Sequence, residues 1–536
     1  MKITNATAVC AVMAALVTTT APLYAGTGAE GPSACSVEHV AGLVSAPIHI
    51  DRVIHVAAVT GVPTYCSIFG HIDHGSQIGF VLGLPDQWNK RYLFFGIGGF
   101  AGKLDPIESG LTEGYATGTS DTGHKGTSVQ DASWALNNPV SVLNHFESGT
   151  ALAARDLKAI TAAYYGQVPM HSYFQGCSAG GRQAVVEAER FPSTFDGIIA
   201  GSPAWDYSKL LITFIENGET ILKSKANWIP SKAFTAIDTL AAKTCGSQDG
   251  VQDGIITDPR QCKTSLKVLL CRPGKKDPSC LTPAQRSTID NMVTPRFAVS
   301  GQGYFGYNVM SGSDRDVDLS WGWPKWFFGT KPPLADKTGR LAFRGDILPQ
   351  GGDVGIGPNQ FLLGEQFLRY IAFGDPNYDA RMFAMKISAK SLETRLGGLL
   401  DADDTDLGPF IRMGGKLIIW HGWADPAIPP AMSIDLYERI RTSIRTYPGQ
   451  PSIDQSVRLF MVPGVQHCGG GAGLTQFDPL KAMVNWVEND KAPARIMATQ
   501  VKDDKPILSR PLCPFPKTAH YDGTGNPDDA ASFICK

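Results

Sequence analysis

Short apolar runs alternate with helical segments in two separate regions of this chain. In the first region, an apolar run at 92–102 ends in a glycine cluster, and 172–201 has the pattern of a strand, a tight turn, a helix and a second strand. The same order of strand, helix, strand and helix returns near the C-terminus at 416–422, 433–441, 457–462 and 480–487. Strands that alternate with helices in this way are typical of a parallel α/β sheet.

The alternation stops between Ser202 and Pro409. This stretch contains two cysteine pairs and many Trp, Pro and Gly residues, without a regular repeat of strand and helix. We therefore predict a lid domain inserted at 203–409. The two flanking segments, 26–202 after a cleaved leader and 410–536, are predicted to form one catalytic α/β domain.

Composition and charge exclude several classes of protein. The chain has 536 residues, of which 43% are hydrophobic and 18% are charged, and 48 basic residues balance 50 acidic ones. This balance lacks the basic surface that nucleic-acid binding requires, so we expect no nucleic-acid partner. After the N-terminus no apolar run reaches the roughly 20 residues of a membrane helix, so we expect a soluble protein with no membrane contact.

The first residues have the pattern of a secretory signal peptide. Lys2 precedes an apolar core at Ala8–Val17, and a small residue, Ala25, ends the segment at a suitable cleavage site. We predict a signal peptide over 1–25 and a secreted or periplasmic protein. The alternative is a short N-terminal core helix.

The cysteine count agrees with export. Apart from Cys10 in the leader, ten cysteines remain and none forms a CxxC pair, which favours five disulfides in an oxidising compartment over a zinc or redox site. Sequence alone does not determine their connectivity. Pairing of neighbours suggests Cys35–Cys66, Cys245–Cys262, Cys271–Cys280 and Cys513–Cys535, which leaves Cys177 and Cys468 for each other.

A GxSxG motif surrounds Ser178 between a predicted strand and a predicted helix. At such a turn the serine hydroxyl projects above the sheet, and the next backbone N–H, that of Ala179, can bind an oxyanion. The loop of Gly98 and Gly99 lies where α/β hydrolases place the second oxyanion donor. A GxSxG motif alone also fits a glycine-rich turn in a chain with 58 glycines.

An acid and a histidine follow in the order that this fold requires. Asp425 and His467 each come just after a predicted strand, at the edge where α/β sheets carry their sites. The imidazole would take the serine proton, and the carboxylate would orient the imidazole. His421 is the competing histidine, but a structural hydrogen bond is favoured for it. We predict an α/β-hydrolase fold with a Ser178, His467 and Asp425 triad.

At these motifs the chain resembles the tannase and feruloyl esterase family, which includes mono(2-hydroxyethyl) terephthalate hydrolases. The matching strings are GCSAGGRQ, WHGWADPAIPP and PGVQHC, and the similarity covers nearly all of the mature chain. The resemblance implies a secreted serine esterase with an inserted lid over an aromatic acyl group. It also implies a Cys177–Cys468 disulfide, which would join the nucleophile turn to the histidine loop.

The resemblance further implies a calcium site in the lid, inside the loop closed by Cys245 and Cys262. Asp249 and Asp253 would supply carboxylates, and Val251 and Ile255 would supply backbone carbonyls, which are hard oxygen ligands that suit Ca²⁺. Gly246 stands where the family usually has another aspartate, which leaves one charge fewer. The alternative is a pair of Asp-Gly turns that needs no ion.

The expected substrate is a small aromatic ester, with a feruloyl ester first and a galloyl ester or a terephthalate monoester as alternatives. A catalytically silent secreted binding protein on a hydrolase scaffold is the alternative of a different class, and the intact triad argues against it. The oligomeric state is not predicted. An aromatic cluster in the lid fits either substrate contact or the lid's own core: Trp321, Trp323, Trp326, Phe327 and Phe328. A carboxylate on the acyl group would need a cationic partner, and the lid arginines available include Arg315, Arg340 and Arg344.

Overall fold

A computed structural model describes most of the chain. The described ranges are 34–126, 128–275, 277–293, 322–343, 357–383, 385–444 and 452–536. The predicted signal peptide, Cys10, Trp321, Arg315 and Arg344 lie outside them.

A nine-stranded sheet organises the molecule, in the order β1-β2-β3-β5-β4-β6-β7-β10-β11. The first three strands pair antiparallel, and β5, β4, β6, β7, β10 and β11 run parallel. The strands of the described residues are β1 Ile48–Val56, β2 Tyr65–Asp73, β3 Gln77–Pro85, β4 Arg91–Phe95, β5 Ala116–Ser120, β6 His171–Cys177, β7 Gly197–Gly201, β8 Leu334–Ala335, β9 Leu341–Ala342, β10 Lys416–Gly422, β11 Val457–Val462, β12 Gln476–Phe477, β13 Ile496–Lys502, β14 Lys505–Leu512, β15 Ala519–Tyr521 and β16 Phe533–Cys535.

Helices cover both faces of the sheet and fill the region between β7 and β10. They are α1 Val37–Gly42, α2 Glu108–Thr112, α3 Pro139–Leu143, α4 Gly149–Tyr165, α5 Ala179–Arg190, α6 Tyr207–Leu222, α7 Ser231–Cys245, α8 Pro283–Val293, α9 Asn359–Gln366, α10 Met385–Leu400, α11 Gly408–Arg412, α12 Pro430–Ser443 and α13 Pro479–Asn489. The predicted strands and helices around 172–201 and 416–487 are confirmed. In the described part of the chain, no helix is long and apolar enough to cross a membrane.

The predicted break in the α/β pattern is also present. Residues 202–415, called the insertion below, contain α6 to α11, and none of their described residues joins the main sheet. Helix α6 packs against α9 and α10, so the insertion has a helical centre of its own.

The C-terminal residues form small sheets that the sequence pattern did not predict. Strands β12, β13 and β14 pair antiparallel, and β15 pairs with β16. The two longest of these strands, β13 and β14, are partly exposed and lack a continuous apolar run, which explains why they were not predicted.

The two flanking halves of the chain are joined by a charged contact. Arg91 at the start of β4 donates two hydrogen bonds to Glu488 in α13, at 2.6 and 2.7 Å. Tyr173 in β6 donates to the same carboxylate at 2.8 Å. Because bidentate Arg–carboxylate pairs are geometrically specific, this contact orients α13 on the sheet.

A buried carboxyl in α5 makes stability depend on pH. Glu187 is 1% exposed, and burial raises its pKa from 4.5 to about 8. Between these values the folded form holds a proton that the unfolded form has lost, so the free energy of unfolding falls as pH rises. Glu187→Gln should therefore raise the Tm by a few °C at pH 8.5 and leave it nearly unchanged at pH 4.5.

Differential scanning calorimetry at the two pH values measures this difference. Glu108→Gln, at an exposed position of α2, is the matched control and should shift neither Tm. An equal gain for Glu187→Gln at both pH values would show that protonation is not the cause.

Candidate active site

Ser178 occupies the turn between β6 and α5. Its backbone has φ 65° and ψ −123°, a conformation that residues other than glycine rarely adopt. The flanking glycines are sterically required: a Cβ on Gly176 would overlap the backbone of Gly180, and one on Gly180 would lie 3.0 Å from the backbone carbon of Gly96. The turn therefore presents the serine hydroxyl at the carboxyl edge of the sheet.

His467 connects this hydroxyl to a carboxylate. Its Nε2 lies 2.9 Å from Ser178 Oγ, and its Nδ1 lies 2.8 Å from Asp425 Oδ2. Because an ionised carboxylate only accepts, Nδ1–H donates to Asp425 and Nε2 accepts from the serine O–H. The three side chains thus form one hydrogen-bonded line, in the order that nucleophilic catalysis by serine requires.

Asp425 is held rigidly and kept ionised. It is 2% exposed, and its Oδ1 accepts hydrogen bonds from the N–H groups of Ala427 and Ile428 at 2.8 and 2.9 Å. Burial by itself would raise the pKa of this carboxyl, but its electrostatic interactions and hydrogen bonds with His467 and His421 hold the pKa below its usual range. The carboxylate is therefore charged at neutral pH.

His421 lies behind the carboxylate and is fully buried. Its Nε2 lies 3.0 Å from the carbonyl oxygen of Ile428 and 3.3 Å from Asp425 Oδ2. Two acceptors on that side place the proton on Nε2, so Nδ1 accepts from the Ser433 hydroxyl at 2.7 Å. Both ring nitrogens of His421 are therefore engaged with groups other than Ser178, and His421 supports Asp425.

The predicted oxyanion donors lie on two loops that leave the same edge of the sheet. Strand β4 is parallel to β6, so the loop of Gly98 and Gly99 approaches the start of α5, where a Cβ on Gly180 would lie 3.2 Å from the Ile97 carbonyl oxygen. A Cβ on Gly98 would have no atom within 4 Å, so this backbone faces open space. In the described chain, the amides of Gly98, Gly99 and Ala179 have no hydrogen-bond partner.

A buried histidine, for which the sequence favours a structural role over pocket lining, and a half-buried tryptophan hold the glycine loop. His124 Nε2 donates to the Phe100 carbonyl oxygen at 2.9 Å, and Trp134 Nε1 donates to the same oxygen at 3.1 Å. The two rings stack with centroids 3.7 Å apart. Burial lowers the pKa of His124 to about 4, so the ring is neutral at pH 7. His124 therefore supports the loop from behind.

The four disulfides suggested by neighbour pairing are present, and so is the fifth, between the two remaining cysteines. Cys177 and Cys468, 291 residues apart, are bonded with their Cα atoms separated by 6.0 Å. One directly precedes Ser178 and the other directly follows His467. This bond therefore ties the serine turn to the histidine loop.

The aromatic cluster of the insertion divides into two parts. The Trp326 ring stands edge-on to His467, with centroids 5.3 Å apart. Its Nε1 is buried and has no hydrogen-bond partner among the described residues. Trp323, in contrast, stacks on Phe327 at 4.3 Å and packs near Phe234 of α7. Trp326 therefore faces the site, whereas its neighbours form the core of the insertion.

The predicted calcium ligands meet an arginine. Asp249 Oδ2 lies 3.3 Å from Arg510 Nε, and Asp253 Oδ2 lies 2.6 Å from Arg510 Nη2. The Oδ1 atoms accept from the N–H groups of Val251 and Ile255 at 3.0 and 2.8 Å. All four carboxylate oxygens are thus bonded to donors of the chain, so in this arrangement these residues do not fit a calcium ion.

Comparison with known proteins identifies the family. The family model described as tannase and feruloyl esterase matches residues 59–536. The chain belongs to this esterase family.

Relatives of this family cover most of the chain. An uncharacterised esterase of Xanthomonas campestris is 32% identical over 520 residues, which is 88% of this chain and 84% of the relative. Mono(2-hydroxyethyl) terephthalate hydrolase of Piscinibacter sakaiensis is 28% identical and covers 90% of this chain and 87% of its own. The crystal structure of feruloyl esterase B from Aspergillus oryzae, at 23% identity, has the same fold, with a TM-score of 0.79 and coverage of 94% and 99%.

The position of the Cys177–Cys468 bond predicts an effect on turnover beyond stability. Cys177→Ala/Cys468→Ala frees the two loops, and a misplacement of about 1 Å between reacting groups costs on the order of 100-fold in rate. We expect kcat/KM for a p-nitrophenyl ester to fall by that order at temperatures well below the Tm of the variant.

Cys271→Ala/Cys280→Ala, which removes a disulfide of the insertion, is the control and should retain turnover. If the Cys177→Ala/Cys468→Ala variant melts lower yet turns over at a near-normal rate, the bond only stabilises the fold.

Proposed function

We propose that this member of the tannase and feruloyl esterase family is an exported serine esterase that hydrolyses esters of aromatic carboxylic acids through an acyl-enzyme. The observation that carries the proposal is the hydrogen-bonded line from Ser178 through His467 to Asp425. The five disulfides and the predicted signal peptide support export to an oxidising compartment.

The geometry supports the following sequence of steps. As Ser178 Oγ attacks the ester carbonyl, its proton moves to Nε2 of His467, and Asp425 stabilises the imidazolium. The tetrahedral intermediate collapses, the alcohol leaves with the proton from His467, and Ser178 remains acylated. His467 then takes a proton from water, the hydroxide attacks the acyl carbonyl, and the carboxylic acid departs as Ser178 recovers its proton.

The oxyanion of each tetrahedral intermediate would be stabilised by the amides of Ala179, Gly98 and Gly99. Loss of one such donor typically costs about 2.7–4 kcal/mol of transition-state stabilisation. These donors are backbone N–H groups, so their positions depend on the rigidity of the glycine loop. His124 and Trp134 support this loop through their hydrogen bonds to the Phe100 carbonyl oxygen.

The aromatic acyl group is inferred from Trp326 and from the names of the relatives. One relative is a feruloyl esterase and another a terephthalate monoester hydrolase, and both names specify an aromatic acid. The edge of Trp326 lies beside His467, where it can pack against a planar acyl group in offset or edge-to-face geometry. We propose that the insertion acts as a lid by placing this ring over the triad.

We propose a neutral phenolic acyl group ahead of a carboxylate-bearing one. The carboxylate of a terephthalate monoester would require a free cation, most favourably an arginine fork. Three arginines of the insertion already lie within 4 Å of carboxylates, in the pairs Arg340–Asp379, Arg369–Glu365 and Arg381–Asp336. We therefore rank ferulate first, gallate second and terephthalate monoesters third.

The triad is tested with a p-nitrophenyl ester and two isosteric variants. Ser178→Ala should abolish turnover, and Asp425→Asn should lower kcat by about 10⁴-fold, because a carboxamide no longer holds the His467 tautomer. Circular dichroism should show native folding for both variants. A Ser178→Ala protein that retains activity would overturn the mechanism, and an inactive wild type would favour a catalytically silent binding protein.

The substrate ranking is tested by kcat/KM values for methyl ferulate, methyl gallate and mono(2-hydroxyethyl) terephthalate on one preparation. Trp326→Ala should raise KM for methyl ferulate more than for p-nitrophenyl acetate, since only the aromatic acyl group packs on the indole. Trp323→Phe, inside the insertion core, is the control. It should leave the ratio of the KM for methyl ferulate to the KM for p-nitrophenyl acetate unchanged. A clear preference for the terephthalate ester would overturn the ranking.

A further inference from the structure

The disulfide-closed loop of the insertion meets the C-terminal sheet at a buried arginine. The loop runs from Cys245 to Cys262, and Arg510 reaches it from β14. The Tyr521 N–H also donates to the Asp249 carbonyl oxygen at 2.7 Å, so the two segments are in direct contact. The Arg510 side chain is 1% exposed. A charge this deeply buried requires partners, because its desolvation is costly.

The guanidinium has a partner at each nitrogen. Nε and Nη2 face the carboxylates of Asp249 and Asp253, and Nη1 donates to the Ser509 carbonyl oxygen at 2.8 Å. Its central carbon lies 4.0 Å from the centroid of the Phe533 ring, a cation–π contact. Arg510 is therefore fixed between two anions, a carbonyl and an aromatic face.

The carboxylates in turn depend on this cation. Asp249 Oδ2 and Asp253 Oδ2 lie 3.3 and 2.6 Å from nitrogens of the same guanidinium, so the two carboxylates are close to each other. Two largely desolvated carboxylates this close repel each other unless a positive charge lies between them. The side chain that supplies that charge comes from a segment 257 residues away along the chain.

The loop also leaves no space for a third carboxylate. A Cβ on Gly246 would overlap the backbone of Gly254 and the carbonyl oxygen of Ala242. The backbones are hydrogen-bonded in this position, from Gly246 N–H to Ala242 O at 3.0 Å and from Gly254 N–H to Gly246 O at 3.1 Å. An aspartate at 246 would therefore require a different backbone path of the loop. The contact thus joins two carboxylates, of Asp249 and Asp253, to one cation, the Arg510 side chain.

We propose that Arg510 is the permanent cation of this loop, in the place of a dissociable metal ion, and that the protein folds and acts without calcium at this site. The guanidinium neutralises Asp249 and Asp253 and thereby fastens the insertion to the C-terminal sheet. A bound ion stabilises a fold according to its concentration, whereas a side chain cannot be removed by chelation. This inference does not depend on the proposed activity.

The first experiment measures metal dependence in the wild-type protein. After dialysis against EGTA, the Tm is recorded in EGTA, in 10 mM CaCl₂ and in NaCl of equal ionic strength, and bound calcium is measured by plasma mass spectrometry. We expect the three Tm values to agree and the calcium content to be far below one ion per chain. Stoichiometric calcium, or a Tm that falls in EGTA and recovers with calcium, would overturn the proposal.

The second experiment measures the coupling of Arg510 to the two aspartates. Arg510→Met keeps the apolar stem but removes the charge, so two buried carboxylates lose their counter-ion and the Tm should fall by about 5 °C or more. In an Asp249→Asn/Asp253→Asn background the same substitution should cost much less, because no buried anion remains. An equal cost in both backgrounds would show that Arg510 acts by packing alone and would overturn the proposal.

Arg52→Met is the matched control for the loss of a guanidinium over a ring. Arg52 is exposed and lies 4.1 Å from the centroid of the Phe69 ring. Its replacement should change the Tm little in either background. If Arg510→Met does not fold, the chelation experiment on the wild-type protein still decides whether this site depends on calcium.

Discussion

The parallel register of the central strands determines where the chemistry of this protein is located. Strand β6 pairs with β7, β7 with β10, and β10 with β11, so the loops after β6, β10 and β11 leave the sheet at one edge. Ser178 and His467 are 289 residues apart, yet their side chains lie 2.9 Å from each other because of this register. The strained backbone of Ser178 and the Cys177–Cys468 bond refine an arrangement that the sheet already imposes.

Buried carboxylates in this molecule are stabilised in different ways, with different consequences. Asp425 is surrounded by two imidazoles and two backbone N–H groups, so it stays charged while its histidine can gain and lose a proton. Asp249 and Asp253 share the guanidinium of Arg510. Glu187 is buried with a raised pKa and stays protonated at neutral pH. Each environment suits a separate role: proton transfer, attachment between segments, and a neutral core position.

The insertion contributes to the molecule at two separate places. At the triad it supplies Trp326, whose ring lies nearly perpendicular to His467, with centroids 5.3 Å apart. At a second place its disulfide-closed loop is held to β14 through Arg510. Both contacts are made by side chains that are distant in sequence from their partners. The insertion is therefore positioned by the catalytic domain as much as by its own core.

Local patterns in the sequence determined the parts of this protein that depend on neighbouring residues. The glycines around Ser178 allow only a tight strand-to-helix turn, and the order of Ser178, Asp425 and His467 after three strands follows from the rule that a parallel sheet collects its sites at one edge. The even number of cysteines indicated disulfides, and neighbour pairing suggested the bonds that the structure contains, although spacing alone does not determine connectivity.

Only the tertiary structure decided which charged and aromatic groups meet across long stretches of chain. The sequence shows Asp249 and Asp253 in a loop with the spacing of metal ligands, but Arg510 is some 260 residues away and no local pattern connects them. The separation of Trp326 from its aromatic neighbours, likewise, depends on how the insertion packs. Such contacts arise from the packing of whole elements, and a one-dimensional pattern does not contain the distances that define them.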